Sequence, residues 1–188
     1  MRKLVILGIT SFTIGVLEGI GAFNGINTIV NEYAPQGNYI VSALTKLGDT
    51  SVVLIIITLT ILLKARREKI DIVRPYLSFF LVLATVGVLK VAYGIPRPSS
   101  YGSGIASYAF PSGHAAKTSM LANYLGDLWP RFKLVFYIIP LIVGATRILL
   151  HVHWFSDVLF GVFYGAFIDE AVKEVIKRWV SSRSYYSH

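Results

Sequence analysis

Thr146–Asp157 reads TRILLHVHWFSD and sets Arg147, His153 and Asp157 into an otherwise apolar stretch. Charges in such surroundings persist only where a partner or a water-filled cavity stabilises them. If a helix starts near His153, Asp157 falls one turn further along the same face, where its carboxylate holds one imidazole nitrogen and leaves the other free. A histidine held that way is prepared to act as nucleophile or base. A guanidinium beside it suits attack on an anionic phosphorus centre, because Arg147 would neutralise oxygens that otherwise repel the incoming lone pair. The competing reading is an ion pair that only staples two helices.

Two upstream stretches bear on that choice. Lys90–Pro98, KVAYGIPRP, supplies a lysine and an arginine, and Pro111–His114, PSGH, supplies a second histidine behind a small-residue turn. In chain order the three stretches read Lys-x6-Arg-Pro, Pro-Ser-Gly-His and Arg-x5-His-x3-Asp. Each pattern is weak alone. In this order and with these gaps they resemble the type 2 phosphatidic acid phosphatase superfamily, which also includes the vanadium haloperoxidases and the glucose-6-phosphatases. The resemblance covers Lys90 to Gly161. It implies phosphate binding by Lys90, Arg97, Ser112, Gly113 and Arg147, an acid at His114, a nucleophile at His153 and an orienting carboxylate at Asp157. It also implies a phosphohistidine intermediate and no cofactor. Residue chemistry agrees, since cations and helix N-terminal amides can stabilise a transferring phosphoryl group without a metal ion. Thr146 stands where the family commonly has serine; a hydroxyl is kept, so contact with phosphate is expected to survive.

Composition points to a membrane. The 188 residues are 54% hydrophobic, and a mean hydropathy of +0.62 is too high for an ordinary soluble domain. Without cysteine there is neither a disulfide nor a thiolate metal site. The formal charge of +8 does not indicate nucleic acid, because the basic residues sit in short clusters between apolar runs.

Those runs predict an all-α, integral-membrane bundle of six transmembrane helices forming a single unit, residues 1–188. The spans are Leu4–Phe23, Asp49–Leu63, Tyr76–Ile95, Pro111–Leu128, Phe132–Leu150 and Trp154–Ile176. Met1-Arg2-Lys3 also suits a signal peptide, but no small-x-small cleavage site follows, so the first span is read as retained. Asn24–Gly48 is too polar to cross and reads as a loop with one or two interfacial helices. Lys64–Arg74 reads as a basic loop.

Alternating spans put thirteen of the 18 basic residues on one side, at the N-terminus, in Lys64–Arg74, at Arg131 and Lys133, and in the tail from Lys173 to Arg183. The positive-inside rule then makes both termini cytoplasmic and turns the motifs outward across the cell membrane. Four helix ends carrying the motifs thereby meet at one depth, which the motif spacings do not require. Pro111 suits a first helical turn, placing Ser112, Gly113 and His114 at an anion-binding N-terminus.

Other polar residues in the apolar runs have two readings each. Glu18 could partner a buried cation or reach water at the outer interface, and Lys117 could support the phosphate field or pair with a carboxylate. His151 forms His-x-His with His153, but no third metal ligand is evident, so it reads as an exposed interfacial histidine. Trp154 reads as an interfacial anchor. The function expected is metal-independent hydrolysis of a membrane lipid phosphate or pyrophosphate, with phosphatidate, phosphatidylglycerophosphate and polyprenyl pyrophosphate all fitting. A non-catalytic protein that binds or carries phosphorylated lipids is the alternative, although binding needs only the cations and not His114, His153 and Asp157.

Overall fold

The computed structural model describes residues 1–63, 69–99 and 101–185. Among them are eight α-helices: α1 (Arg2–Gly19), α2 (Asn24–Tyr33), α3 (Tyr39–Leu44), α4 (Thr50–Leu63), α5 (Lys69–Tyr93), α6 (Gly113–Leu128), α7 (Lys133–Leu149) and α8 (Phe155–Tyr185). The only strand-like pairing among the described residues is an isolated bridge between Pro96 and Tyr108.

α6 is the axis, packed against α4, α5, α7 and α8. Residues Ala115 to Gly126 are buried without interruption. Small and polar residues dominate this helix because its surroundings are protein; it has no lipid to face, and small side chains let neighbouring helices approach closely. The closest neighbour is α8. A Cβ at Gly165 would lie 1.9 Å from the Ala116 carbonyl oxygen, and one at Gly161 would lie 2.7 Å from that of Ser112. The two backbones therefore touch along a Gly-x-x-x-Gly face, and Ser119 Oγ donates across the seam to the Val162 carbonyl. That contact locks the N-terminus of α6 beside the N-terminus of α8. Val53, Ile57, Phe79, Val82, Met120 and Tyr124 fill the core between α4, α5 and α6.

The expected loop at Lys64–Arg74 is corrected. Residues 64–68 lie outside the described residues, and from Lys69 the chain is helical, with Pro75 inside α5. Pro75 has no N–H to give the carbonyl of Asp71 one turn earlier. Tyr124 Oη supplies that hydrogen bond at 2.9 Å. Arg74 is buried: its Nε donates to Asp169 Oδ1 at 3.0 Å and its guanidinium bridges to Asp127 at 2.8 Å. Asn123, Ser78, Glu170, Lys173 and Lys3 extend this network across α1, α5, α6 and α8. Three of the basic residues used to assign sidedness, Lys3, Arg74 and Lys173, are thus ion-paired inside the bundle.

The span plan also changes. Helices α1, α4, α5, α6, α7 and α8 stand where spans were expected, but among the described residues only Asp71–Tyr93 and Pro130–Leu149 are each long and apolar enough to cross a membrane. Two bent pairs reach that standard jointly, α1 with α2 at 88° and Tyr39–Gly48 with α4 at 54°. α6, of 16 residues, and the more polar α8 do not. Helix α6 starts at Gly113, with Ser112 as its cap in place of Pro111 in the first turn, and α8 continues to Tyr185.

Candidate active site

The helix ends bring the expected residues together. α8 begins at Phe155, so His153 lies just outside it and Asp157 in its first turn. The Asp157 Oδ2 atom accepts from two donors, His153 Nδ1 at 3.0 Å and the Trp154 backbone N–H at 2.8 Å. Arg97 NH1 lies 3.1 Å from His153 Nε2. A guanidinium can only donate, so Nε2 is the accepting nitrogen and the proton resides on Nδ1. Burial and the positive charges of Arg97, Arg147 and Lys90 hold His153 well below the ordinary imidazole range, so the ring is neutral at pH 7.

Cations surround that lone pair. Arg97 also donates to the Ala106 carbonyl at 2.9 Å and to the Val152 carbonyl. Arg147, near the end of α7, donates to Thr45 Oγ1 at 3.0 Å, while its Nε is buried without a partner. Both guanidiniums face the ring of Tyr101, at 4.8 Å for Arg97 and 5.9 Å for Arg147. Lys90 is partly occupied elsewhere: its Nζ binds the carbonyls of Tyr108 at 2.6 Å and Ala109 at 2.9 Å, anchoring the segment that leads into α6. Ser112 caps α6, its N–H donating to the Asp157 carbonyl at 3.1 Å. Gly113 and His114 form the first turn of α6, where free amides and the helix dipole favour an anion. All eight expected residues thus border one region, in which an unpartnered guanidinium nitrogen, a helix N-terminus and an oriented imidazole converge.

Several contributors were not read from the sequence. α2 swings across the mouth, and Asn27 clamps the start of α8: its Oδ1 accepts from Ser156 N at 3.0 Å and its Nδ2 donates to Ser156 Oγ at 2.8 Å. Asp49 Oδ1 lies 3.0 Å from His114 Nε2. Lys117 donates to Thr50 Oγ1 at 2.8 Å. Asn27, Thr45 and Tyr101 carry no local signal, being lone polar residues in stretches read as loop, and Asp49 stood only as the first residue of an expected span. The Gly161-x-x-x-Gly165 pattern that sets the seam was readable as a close-packing face.

The readings of His151 and Thr146 are revised, and Glu18 and Trp154 gain definite surroundings. Glu18 is buried at 7% exposure and lines a cavity of about 400 Å³ with Asn24, Asn27, Thr28, Pro96 and Trp154; its Oε2 has no hydrogen-bond partner. His151 is half-buried, its Nδ1 2.8 Å from Asn31 Oδ1, so it is neither exposed nor turned toward His153. Trp154 ties the site together by donating from Nε1 to the Pro96 carbonyl at 2.8 Å. The Thr146 hydroxyl is turned to its own helix, donating to the Val143 carbonyl at 2.6 Å.

Comparison with known proteins agrees with this architecture. The chain is 30% identical over 126 residues to a lipid A 1-phosphatase of Rhizobium johnstonii, an alignment covering 57% of this chain and 52% of that protein. It is 30% identical over 103 residues to a lipid A 1-phosphatase of Porphyromonas gingivalis, covering 53% of this chain and 22% of the other. The chain thus spans about half or less of the length of these curated relatives. The fold is similar to the crystal structure of a transmembrane PAP2 type phosphatidylglycerolphosphate phosphatase from Bacillus subtilis, with TM-score 0.79, 22% identity, and coverage of 95% of this chain and 98% of that one. It is also similar to Aquifex aeolicus LpxE, with TM-score 0.65, 19% identity, and coverage of 80% and 93%. A family model described as the PAP2 superfamily matches residues 71–180, which contain every expected site residue, and the chain is a membrane protein belonging to that superfamily.

Proposed function

We propose that this protein hydrolyses the phosphate of a membrane lipid phosphate or pyrophosphate through a phosphohistidine on His153, without a metal ion. The observation that carries the reading is the bonding of His153: Asp157 takes Nδ1, and the Nε2 lone pair faces Arg97 within the cationic region. A phosphate bound there competes for the Arg97 guanidinium and uncovers the lone pair for in-line attack. Arg97, Arg147, Lys90, the Ser112 hydroxyl and the Gly113 amide then stabilise charge on the phosphoryl oxygens, the Ser112 N–H being held by the Asp157 carbonyl. His114 protonates the leaving oxygen, and water hydrolyses the phosphohistidine in a second step. Because the cations are side chains of the protein, the charge balance that Mg²⁺ supplies elsewhere is already present.

In this reading α1, α4, α5, α6, α7 and α8 cross the membrane as one catalytic unit, with α2 along the outer surface, cytoplasmic termini and an extracytoplasmic site. Support comes from the placement of the two polar clusters on α8. Asp157 and Asp169 are twelve residues apart, about 18 Å along a helix, with Lys3, Arg74 and Lys173 at the Asp169 end. Relatives and structural neighbours named for lipid A 1-phosphate and phosphatidylglycerolphosphate support a lipid substrate.

The test is phosphate release by the purified chain in excess chelator, on phosphatidate, phosphatidylglycerophosphate, a polyprenyl pyrophosphate and lipid A. At least one substrate should turn over, with inhibition by vanadate, which mimics the pentacoordinate transition state. Acid-labile radiolabel should be trapped on the wild type and be absent from His153→Ala. Full loss of activity in chelator with restoration by Mg²⁺, or labelling of His153→Ala, overturns the mechanism.

A further inference from the structure

Asp49 stands outside all three motifs, yet its carboxylate is 3.0 Å from His114 Nε2. A carboxylate only accepts, so Nε2 carries a hydrogen and Nδ1 is the ring nitrogen left for chemistry. Neighbours of Asp49 serve the same corner of the site. Thr45 Oγ1 receives Arg147 at 3.0 Å, and Thr50 Oγ1 receives Lys117 at 2.8 Å. Between them Gly48 is required by space: a Cβ there would lie 2.8 Å from His114 Cδ2 and 3.0 Å from Val143 Cγ1. Residues Thr45 to Thr50 therefore press against the His114 ring while their side chains hold the cations on either side of it.

We propose that Asp49 is a positioning residue for His114, holding Nε2–H so that Nδ1 delivers the proton to the leaving oxygen. The inference rests on the acid role given to His114 above. In the first step the bond from phosphorus to the leaving oxygen breaks as the bond to His153 Nε2 forms. The proton on His114 Nδ1 passes to the leaving oxygen, and His114 remains neutral with Nε2–H on Asp49. In the second step a water oxygen bonds to phosphorus, the phosphorus–nitrogen bond breaks, and a water proton returns to His114 Nδ1. His114 and His153 thus form two His–Asp pairs that engage opposite ring nitrogens, one prepared to deliver a proton and the other to attack.

A purely structural role for Asp49 is capping, since it immediately precedes α4 and its carbonyl accepts from Val53 N at 3.0 Å. Asparagine caps a helix as well as aspartate, so Asp49→Asn keeps that role and removes the charge. The experiment compares kcat/KM on phosphatidate, which leaves as an alkoxide, with that on nitrophenyl phosphate, which leaves as a stable phenolate. Wild type, Asp49→Asn, Asp49→Glu and His114→Ala are measured as full chains in detergent. Asp49→Asn should lose about tenfold on phosphatidate and less than about threefold on nitrophenyl phosphate, because help from an acid matters most for the poorer leaving group. Asp49→Glu should regain most of the phosphatidate activity. Equal loss on both substrates, or no loss on phosphatidate, overturns the role of Asp49 when His114→Ala shows the leaving-group dependence. Equal loss in His114→Ala overturns the acid assignment itself, and with it this inference.

Discussion

Replacing Asp157 with asparagine tests the geometry of the proposed nucleophile closely. In a His–Asp pair, asparagine costs about 10⁴-fold in kcat when its NH₂ turns to the imidazole and imposes the wrong tautomer. Here one oxygen, Oδ2, accepts both His153 Nδ1–H and the Trp154 N–H. The backbone donor fixes the amide oxygen at that position, which keeps Nδ1–H as the donor on His153. The NH₂ group then occupies the place of Oδ1, which already lacks a hydrogen-bond partner. What is lost is the charge facing the imidazole as it becomes positive. Unit charges ~4 Å apart interact by about 4 kcal/mol at an effective dielectric of ~20. With roughly half a charge developed in a loose transition state, the loss is about 2 kcal/mol, or about 30-fold in kcat. Asp157→Ala removes orientation and the Trp154 bond as well, and should lose about 10³-fold or more. It should also cost about 1 kcal/mol of stability through the lost helix-terminal bond. The assay is steady-state phosphate release in detergent micelles, with thermal unfolding of each variant. An asparagine variant as impaired as the alanine variant refutes the shared-oxygen argument.

Removing one partner of the buried Arg74–Asp169 pair, as in Asp169→Leu, should cost about 3–5 kcal/mol, because Arg74 is left without its bidentate acceptor. Adding Arg74→Met should recover most of that loss; unfolding in detergent of the two single variants and the double variant measures it, and additive losses would refute the pairing. For sidedness, the chain contains no cysteine, so Ser103→Cys and Arg131→Cys, both at exposed positions, report on opposite faces. The first should react with an impermeant thiol reagent in intact cells and the second only after permeabilisation; the reverse pattern would place the site toward the cytoplasm.

The sequence by itself determined what local spacing can determine. His153 and Asp157 are four residues apart, close enough for Asp157 in the first turn of α8 to reach the ring that precedes the helix. The Pro111–His114 turn marked a helix start and an anion-binding end, although the helix begins two residues later than Pro111. Runs of apolar residues gave the helices and their approximate limits, since burial of a helix in lipid or in a bundle requires them. The tertiary structure decided how the remaining polar residues are used. Asn27 meets Ser156 across 129 residues, Thr45 meets Arg147 across 102, Arg74 meets Asp169 across 95 and Asp49 meets His114 across 65. None of these pairings has a period or a local constraint that would select one partner over another. They arise because Gly161 and Gly165 draw α8 onto α6, because α2 turns 88° from α1 across the mouth, and because Gly48 lets the segment before α4 reach His114. The same packing explains why α6 and α8, at the centre, are less apolar than α4, α5 and α7. Their neighbours are protein, so the hydropathy that identifies a lipid-facing span is carried by the helices around them.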